Sequence, residues 1–481
     1  MKIQKCIYRT VLLGILPLLC TLILYYLNTH SIEHGNSLKV LTATVWLTVW
    51  WATGIVPLGV TSLLPLILFP YFDILGSKEV FSAYANPILF LFLGGFLLAV
   101  AVQQCGLHTR MALNIMLYTG YSPRFLVLGI MLGTALTSMV MSNTVTALMM
   151  FPITTGLCML FTEGAGEGSN QKAITNFRII SMLAVAYSAS IGGMATIIGS
   201  PPNAITVGVV KELLGKTITF TEWASIGIPI TCMLLAIVWI SLFIFYPVSN
   251  IDMSRIRSYL TVEKKRLGVM SKEEKIVILI GLFLFIGWIA EDSWNIPILS
   301  SLSDTQVSLL GVILLFATNV DGKPLLDTKA FSKVEWNILY MFGAGFALSG
   351  AYSVLPLKEI FAELFLSFQS LPPLVVAILF CLLAGFATEL TSNSSVTVLL
   401  LPIAYTLSPD FGLSELYTMI GICFASSCAF MFPSSTPSNA IVFGSGYLAV
   451  SDLLRIGACL TVVSALLLGV YSYLLLPMLL R

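Results

Sequence analysis

Apolar runs separated by short polar connections make up most of the chain. They fall near residues 8–27, 40–54, 57–72, 86–105, 125–161, 178–213, 224–247, 276–290, 306–318, 336–352, 372–407, 416–447 and 453–479. A helix needs about 20 mostly apolar residues to cross a bilayer, so the pattern predicts an all-α polytopic membrane protein. Two runs, 125–161 and 372–407, are too long for one crossing and carry a polar cluster at mid-length. Each is expected to enter the membrane and return from the same side. Two others, 178–213 and 416–447, are interrupted by proline and small polar residues, which predicts helices broken inside the membrane.

Composition agrees with that reading. Of 481 residues, 57% are AVILMFWYC and 10% are DEKR, against about 25% charged in a soluble domain; mean hydropathy is +0.95. A formal net charge of +1 excludes a basic nucleic-acid binder and an acidic tail. The nine cysteines are scattered without a CxxC pair, which predicts neither a disulfide framework nor a thiolate metal site. His30, His34 and His108 are expected in loops, away from any catalytic pair.

Charge also orients the spans. Lys2, Lys5 and Arg9 precede the apolar run Val11–Leu27, and no small-x-small cleavage signal follows. A retained first span with a cytoplasmic N-terminus in the plasma (inner) membrane is expected. The connection 248–275 holds Arg255, Arg257, Lys264, Lys265, Arg266, Lys272 and Lys275, which marks it as a cytoplasmic loop. The loops near 293–305 and 408–415 lack Lys and Arg and are expected outside.

The chain repeats itself. Ile88–Phe96 aligns with Ile338–Phe346 at a displacement of 250 residues, and Phe81-Ser82, Ser142-Asn143 and Pro152-Ile153 recur at the same displacement as Phe331-Ser332, Ser392-Asn393 and Pro402-Ile403. Pro201, Asn203, Ala204 and Ile205 recur 236 residues on as Pro437, Asn439, Ala440 and Ile441. The shorter displacement fits a longer loop at 162–177. The organisation expected is an N-terminal span and external loop (1–39), a first repeat (40–247), the basic loop (248–275) and a second repeat (276–481). Five crossings and one re-entrant pair per repeat would turn the second copy upside down. Many secondary transporters are built so, with ligands bound between the halves.

Within these repeats Met141-Ser142-Asn143-Thr144 and Thr391-Ser392-Asn393-Ser394 interrupt the two long runs. Irregular backbone survives at membrane depth only inside protein or along a wet cavity. A helix ending at such a bend presents carbonyls to cations, and the helix leaving it presents N–H groups to anions. Ser138 and Thr388 stand four residues before Ser142 and Ser392, a spacing that would set an oxygen one turn below each tip on the same helical face. Such oxygens suit Na⁺. The breaks Gly192–Asn203 and Phe432–Asn439 add carbonyls and helix starts, and no Lys or Arg lies at the centre of any of the four elements. Glu389 is the one acid beside a tip. It is either a functional group or the partner of local backbone donors.

With Ser142-Asn143-Thr144, Ser392-Asn393-Ser394, Gly199-Ser200-Pro201-Pro202-Asn203 and Thr436-Pro437-Ser438-Asn439 in order, the chain resembles the divalent anion:sodium symporter (DASS) family of dicarboxylate, citrate and sulfate carriers over nearly its whole length. The resemblance implies an inverted-repeat secondary transporter with about eleven transmembrane helices and two re-entrant hairpins, a homodimer, and an elevator movement. By motif, a first sodium site would use Ser138, Ser142, Asn143 and Gly199, and a second Thr388, Ser392, Asn393 and Ser435. The substrate would meet Asn143, Thr144, Ser200, Pro201, Asn393, Ser394, Thr436 and Pro437. Ser394 stands where threonine is usual, and Ser438 where a second proline is common.

The expectation is a non-enzymatic symporter that takes C4-dicarboxylates such as succinate, malate or fumarate, with sodium ions as co-transported ligands and no other cofactor. The alternatives are a sodium-independent dicarboxylate or citrate exchanger and a sulfate symporter of the same family. A membrane hydrolase using a tip serine would need a base within hydrogen-bond reach, and only Glu389 is near. An anion channel or a non-transporting sensor is the remaining class.

Overall fold

The computed structural model describes residues 11–30, 35–120, 122–160, 171–248, 253–293, 302–353 and 371–480. Lys2, Lys5, Arg9, His34 and most of the 162–177 and 293–305 connections lie outside them. The fold is helical, as the apolar pattern predicts. Among the described residues six helical stretches are long and apolar enough to cross a membrane: Val11–Thr29, Ser77–Cys105, Gln171–Ala195, Phe220–Phe245, Pro373–Leu390 and Val450–Leu479. Shorter apolar helices, among them Pro123–Ser138, Asn143–Met159 and Asp304–Ala317, accompany them.

Each long apolar run folds back on itself. The first hairpin pairs Pro123–Ser138 with Asn143–Met159, and the second pairs Pro373–Leu390 with Asn393–Leu407. Both inbound arms open with proline, which needs no N–H there, and both outbound arms open at the motif asparagine. The arms start at matching points of the two repeats. So do the helices that restart after each break, Pro201–Leu214 and Pro437–Phe443. The first restarted helix stops at Gly215, whose φ of +65° is a left-handed conformation that glycine adopts without strain.

The two halves interlock. Gln171–Gly192, the helix before the first break, packs on the first hairpin and on the restarted helix Pro437–Phe443. Reciprocally, Pro201–Leu214 packs on Glu415–Ser426, on the second hairpin's outbound arm and on Trp336–Ser353. Buried tyrosines stitch the same seam: Tyr187 Oη donates to the Phe430 carbonyl at 3.0 Å and Tyr471 Oη to Ile226 O at 2.7 Å. One continuous apolar core therefore runs through both halves. Exposed leucines and isoleucines of the first helix (Leu18, Leu19, Leu22, Ile23) form an apolar outer surface of the kind that acyl chains cover.

Two expectations are corrected, and one small element is added. The basic stretch expected as a loop contains a helix, Ser254–Arg266, because Ile256 and Leu260 share one face and are buried. His108 lies in the first turn of the helix Leu107–Thr119, not in a loop. A two-residue antiparallel ladder, Asn319–Val320 with Lys323–Pro324, closes through Asp321 and Gly322, both at positive φ; the Asp-Gly pair was its signal. Near the basic helix, Arg110 donates to Glu274 at 2.7 and 3.0 Å and to the carbonyls of residues 267–269. Burial pushes the Glu274 carboxyl up, but the Arg110 guanidinium and the Ser271 N–H hold it below its usual range.

Candidate functional site

The first tip is a crowd of oxygens. Ser138 ends the inbound arm fully buried, with Oγ 2.6 Å from the Ala189 carbonyl and 2.9 Å from Asn143 Oδ1. A hydroxyl has one proton and cannot donate to both. Gly193 and Gly199 close the cluster: a Cβ on Gly193 would lie 2.4 Å from Asn143 Oδ1 and 2.8 Å from Gly199 O, and a Cβ on Gly199 2.6 Å from Gly193 O and 2.9 Å from Ser138 O. No side chain fits at either position, and six oxygens from three segments (Ser138 Oγ and O, Asn143 Oδ1, Ala189 O, Gly193 O and Gly199 O) crowd together there.

The second tip repeats the arrangement. Thr388 Oγ1 lies 2.7 Å from Asn393 Oδ1 and 2.7 Å from the Ser426 carbonyl. Turning an asparagine amide would place a donor against each hydroxyl, but a cation seated among the same oxygens would satisfy all of them. The four-residue spacing works differently from the expectation. The inbound helix ends at Ser138, and Ser142 is the N-cap of the next helix, so the two do not share a helical face. Ser138 meets Asn143 instead. Ser392 likewise caps the second outbound arm, accepting from Ser395 N at 3.2 Å.

The substrate residues are divided. Ser200 is buried, and its hydroxyl has no hydrogen-bond partner among the described residues; a buried donor left open is costly unless a ligand meets it. Thr436 is buried and accepts from Asn439 N at 3.1 Å, Ser394 is buried, Asn143, Thr144, Asn393 and Pro201 are half-buried, and Pro437 is exposed. Ser438 Oγ donates to the Asn143 carbonyl at 3.1 Å, which brings the second break to the first tip. The first break meets the second tip through the packing of Pro201–Leu214 on Asn393–Leu407.

Several residues beyond the motif ligands hold the bends. Asn203 Nδ2 donates to the carbonyls of Gly193 (2.8 Å) and Thr196 (2.7 Å), and Asn439 Nδ2 to Ala429 and Phe432 (3.1 Å each). Each asparagine staples its own break, at equivalent positions of the two repeats. Both stand in the quoted motifs, and their recurrence was the available signal. Glu389 proves to be the partner of local donors. Its carboxyl oxygens accept from the N–H groups of Phe430 (2.7 Å), Met431 (3.0 and 3.1 Å) and Phe432 (3.4 Å), from Ser435 Oγ (2.6 Å) and from Thr461 Oγ1 (3.1 Å). Ser435, expected as a sodium ligand, thus gives its proton to Glu389. Ser142 gives its own to the carboxyl of Glu335, 193 residues away; nothing in the local pattern marked that residue. Among the described residues no group of three or more His, Cys, Asp and Glu could hold a metal ion.

Residues 11–480 match the family model described as the sodium:sulfate symporter transmembrane region. A sodium-dependent dicarboxylate transporter, SdcS, of Staphylococcus aureus (strain MRSA252) is 34% identical over 475 residues, covering 96% of this chain and 90% of that protein. The protein of the same name from Staphylococcus saprophyticus is 33% identical over 477 residues, covering 97% and 91%. Two solved transporters share the fold. Alcanivorax borkumensis YdaH has a TM-score of 0.56 at 15% identity, covering 89% of this chain and 98% of its own. Neisseria gonorrhoeae MtrF has a TM-score of 0.56 at 12% identity, covering 94% and 98%.

Proposed function

Because the chain belongs to the sodium:sulfate symporter transmembrane family, we propose that it imports C4-dicarboxylates such as succinate, malate or fumarate together with sodium. The observation that carries this reading is the matched pair of oxygen clusters, Ser138–Asn143–Ala189 and Thr388–Asn393–Ser426, each with more acceptors than protons. Hard monovalent cations take such neutral oxygens. The names of the Staphylococcus relatives, sodium-dependent dicarboxylate transporters, point the same way.

The anion is held without a basic side chain. The first turn of Asn143–Met159 has no side-chain cap, and its N–H groups, with the helix dipole, attract a carboxylate. Thr144, Ser200 and the restarted helices at Pro201 and Pro437 would complete the contacts, with Asn393, Ser394 and Thr436 on the other side. Two sodium ions, one with Ser138, Ser142, Asn143 and the carbonyls around Gly199, the other with Thr388, Ser392, Asn393 and Ser435, would offset the dianion. Transport then proceeds by an elevator movement of the hairpins and broken helices against the remaining helices. The protein works as a homodimer in the plasma membrane with its N-terminus and the basic helix Ser254–Arg266 inside. The interlock of the two breaks with the opposite halves favours a single moving body.

Uptake of labelled succinate into proteoliposomes tests the reading. Replacing external sodium by choline should abolish accumulation. Equal uptake in choline that depends on internal dicarboxylate would make the protein an exchanger, and sulfate displacing succinate outright would move it to the sulfate branch.

A further inference from the structure

A serine stands at the N-cap position of each outbound arm, yet the two serines find different partners. Ser392 Oγ pairs with Ser395 Oγ at 2.6 Å and accepts from Ser395 N at 3.2 Å, inside its own turn. The residue equivalent to Ser395 in the first tip is Val145, which offers no hydroxyl. Ser142 instead donates to Glu335 Oε1, in the segment between the short helix Thr328–Lys333 and the helix Trp336–Ser353. The residue 250 positions before Glu335 is Ala85, so the second tip receives no such reach. It has Glu389 instead, whose counterpart in the first half is Met139. Among the described residues each tip is thus attended by one carboxyl group, and both carboxyls come from the second repeat.

We propose that Glu335 is a positioning residue for the cation at the first tip. By holding the only proton of Ser142 it leaves that oxygen's lone pairs to an incoming ion, and when ionised its charge raises the hold of the neutral oxygens on Na⁺. Outer carboxyls that orient a ligand act in this way on bound metal ions, and their loss costs about 10-fold to 100-fold in affinity. Glu335 needs no contact with the ion or the dicarboxylate. The inference rests on the sodium-coupled reading above, and the two fail in different measurements.

The experiment is a sodium titration of succinate uptake at saturating succinate, in proteoliposomes of wild type, Glu335→Gln, Glu335→Asp and Ser142→Ala. Elution from a sizing column in detergent checks that each variant is folded. Glu335→Gln keeps an acceptor for Ser142 and removes the charge, so half-saturating sodium should rise about tenfold, with most of the maximal rate restored at high sodium and the half-saturating succinate little changed. Glu335→Asp should recover part of the loss. Ser142→Ala combined with Glu335→Gln should shift the sodium curve less than the two single shifts together, because they act through one interaction. A Glu335→Gln curve superimposed on wild type would overturn the inference, as would a change confined to the succinate curve. Wild-type uptake that ignores sodium would overturn the functional reading itself.

Discussion

The two breaks carry the same asparagine staple but solve the loss of helix differently. In the first, the chain from Gly193 to Gly199 stays in two tight turns, Gly193–Ala195 and Ile197–Gly199, whose own residues carry no charge. In the second, the chain from Ser427 to Thr436 leaves helical conformation, and three consecutive N–H groups converge on Glu389. Close packing of glycine does for one half what a buried carboxyl does for the other: Gly193 and Gly199 correspond to Ala429 and Ser435. Repetition of a motif therefore locates a bend without saying what holds it open.

The comparison can be broken first at Glu389. Glu389→Ala leaves one buried and two partly buried N–H groups without this partner, at about 1–3 kcal/mol for a buried one. The expected loss is about 3 kcal/mol or more, visible as a large fall in Tm in detergent and as absent uptake. Met139→Ala, the same position in the first half, removes only half-buried apolar surface and should cost about 1 kcal/mol. Equal falls for the two would erase the distinction.

Next come the shared ligands. Asn143→Ala and Asn393→Ala should each lower uptake more than about a hundredfold, the factor that about 3 kcal/mol carries, while membrane levels stay near wild type. Full activity in either would remove that tip from the site.

Glycine replacement sharpens the contrast further. Gly199→Ser places a side chain where Gly193 O and Ser138 O leave no space. Overpacking costs about 1–3 kcal/mol, so a loss of about tenfold in sodium-driven uptake is expected. The reverse change, Ser435→Gly, removes one donor to Glu389 and should be milder. A harmless Gly199→Ser would show that the first break has room to adapt.

The smallest effect is expected at Ser438. Ser438→Pro makes the second restart like the first, where Pro202 occupies the equivalent position, and deletes the donor to the Asn143 carbonyl. A loss of about 1 kcal/mol should appear as a severalfold weaker succinate dependence with the protein still folded.

Much of this was legible in the sequence because bends need special residues. The proline starts, the doubled Ser-Asn pairs and the constant displacements placed both hairpins and both breaks. The tip geometry was less legible, since a four-residue spacing means one face only while the helix continues, and here the helix ends at Ser138. The basic helix Ser254–Arg266 was hidden because its apolar face consists of little more than Ile256 and Leu260. Glu335 was invisible for another reason: its partner is remote in sequence, and a lone acid in a polar connection ordinarily faces water.

The interlocked seam bears on how the molecule is made. When translation has delivered the chain as far as residue 247, Gln171–Gly192 still lacks the Pro437–Phe443 turn against which it rests, and the Tyr187 hydroxyl still lacks Phe430. The early half must wait in the bilayer, incompletely closed, until nearly two hundred more residues have been inserted. A stalled or truncated nascent chain would then be a substrate for membrane quality control, and neither half, expressed by itself, would mature.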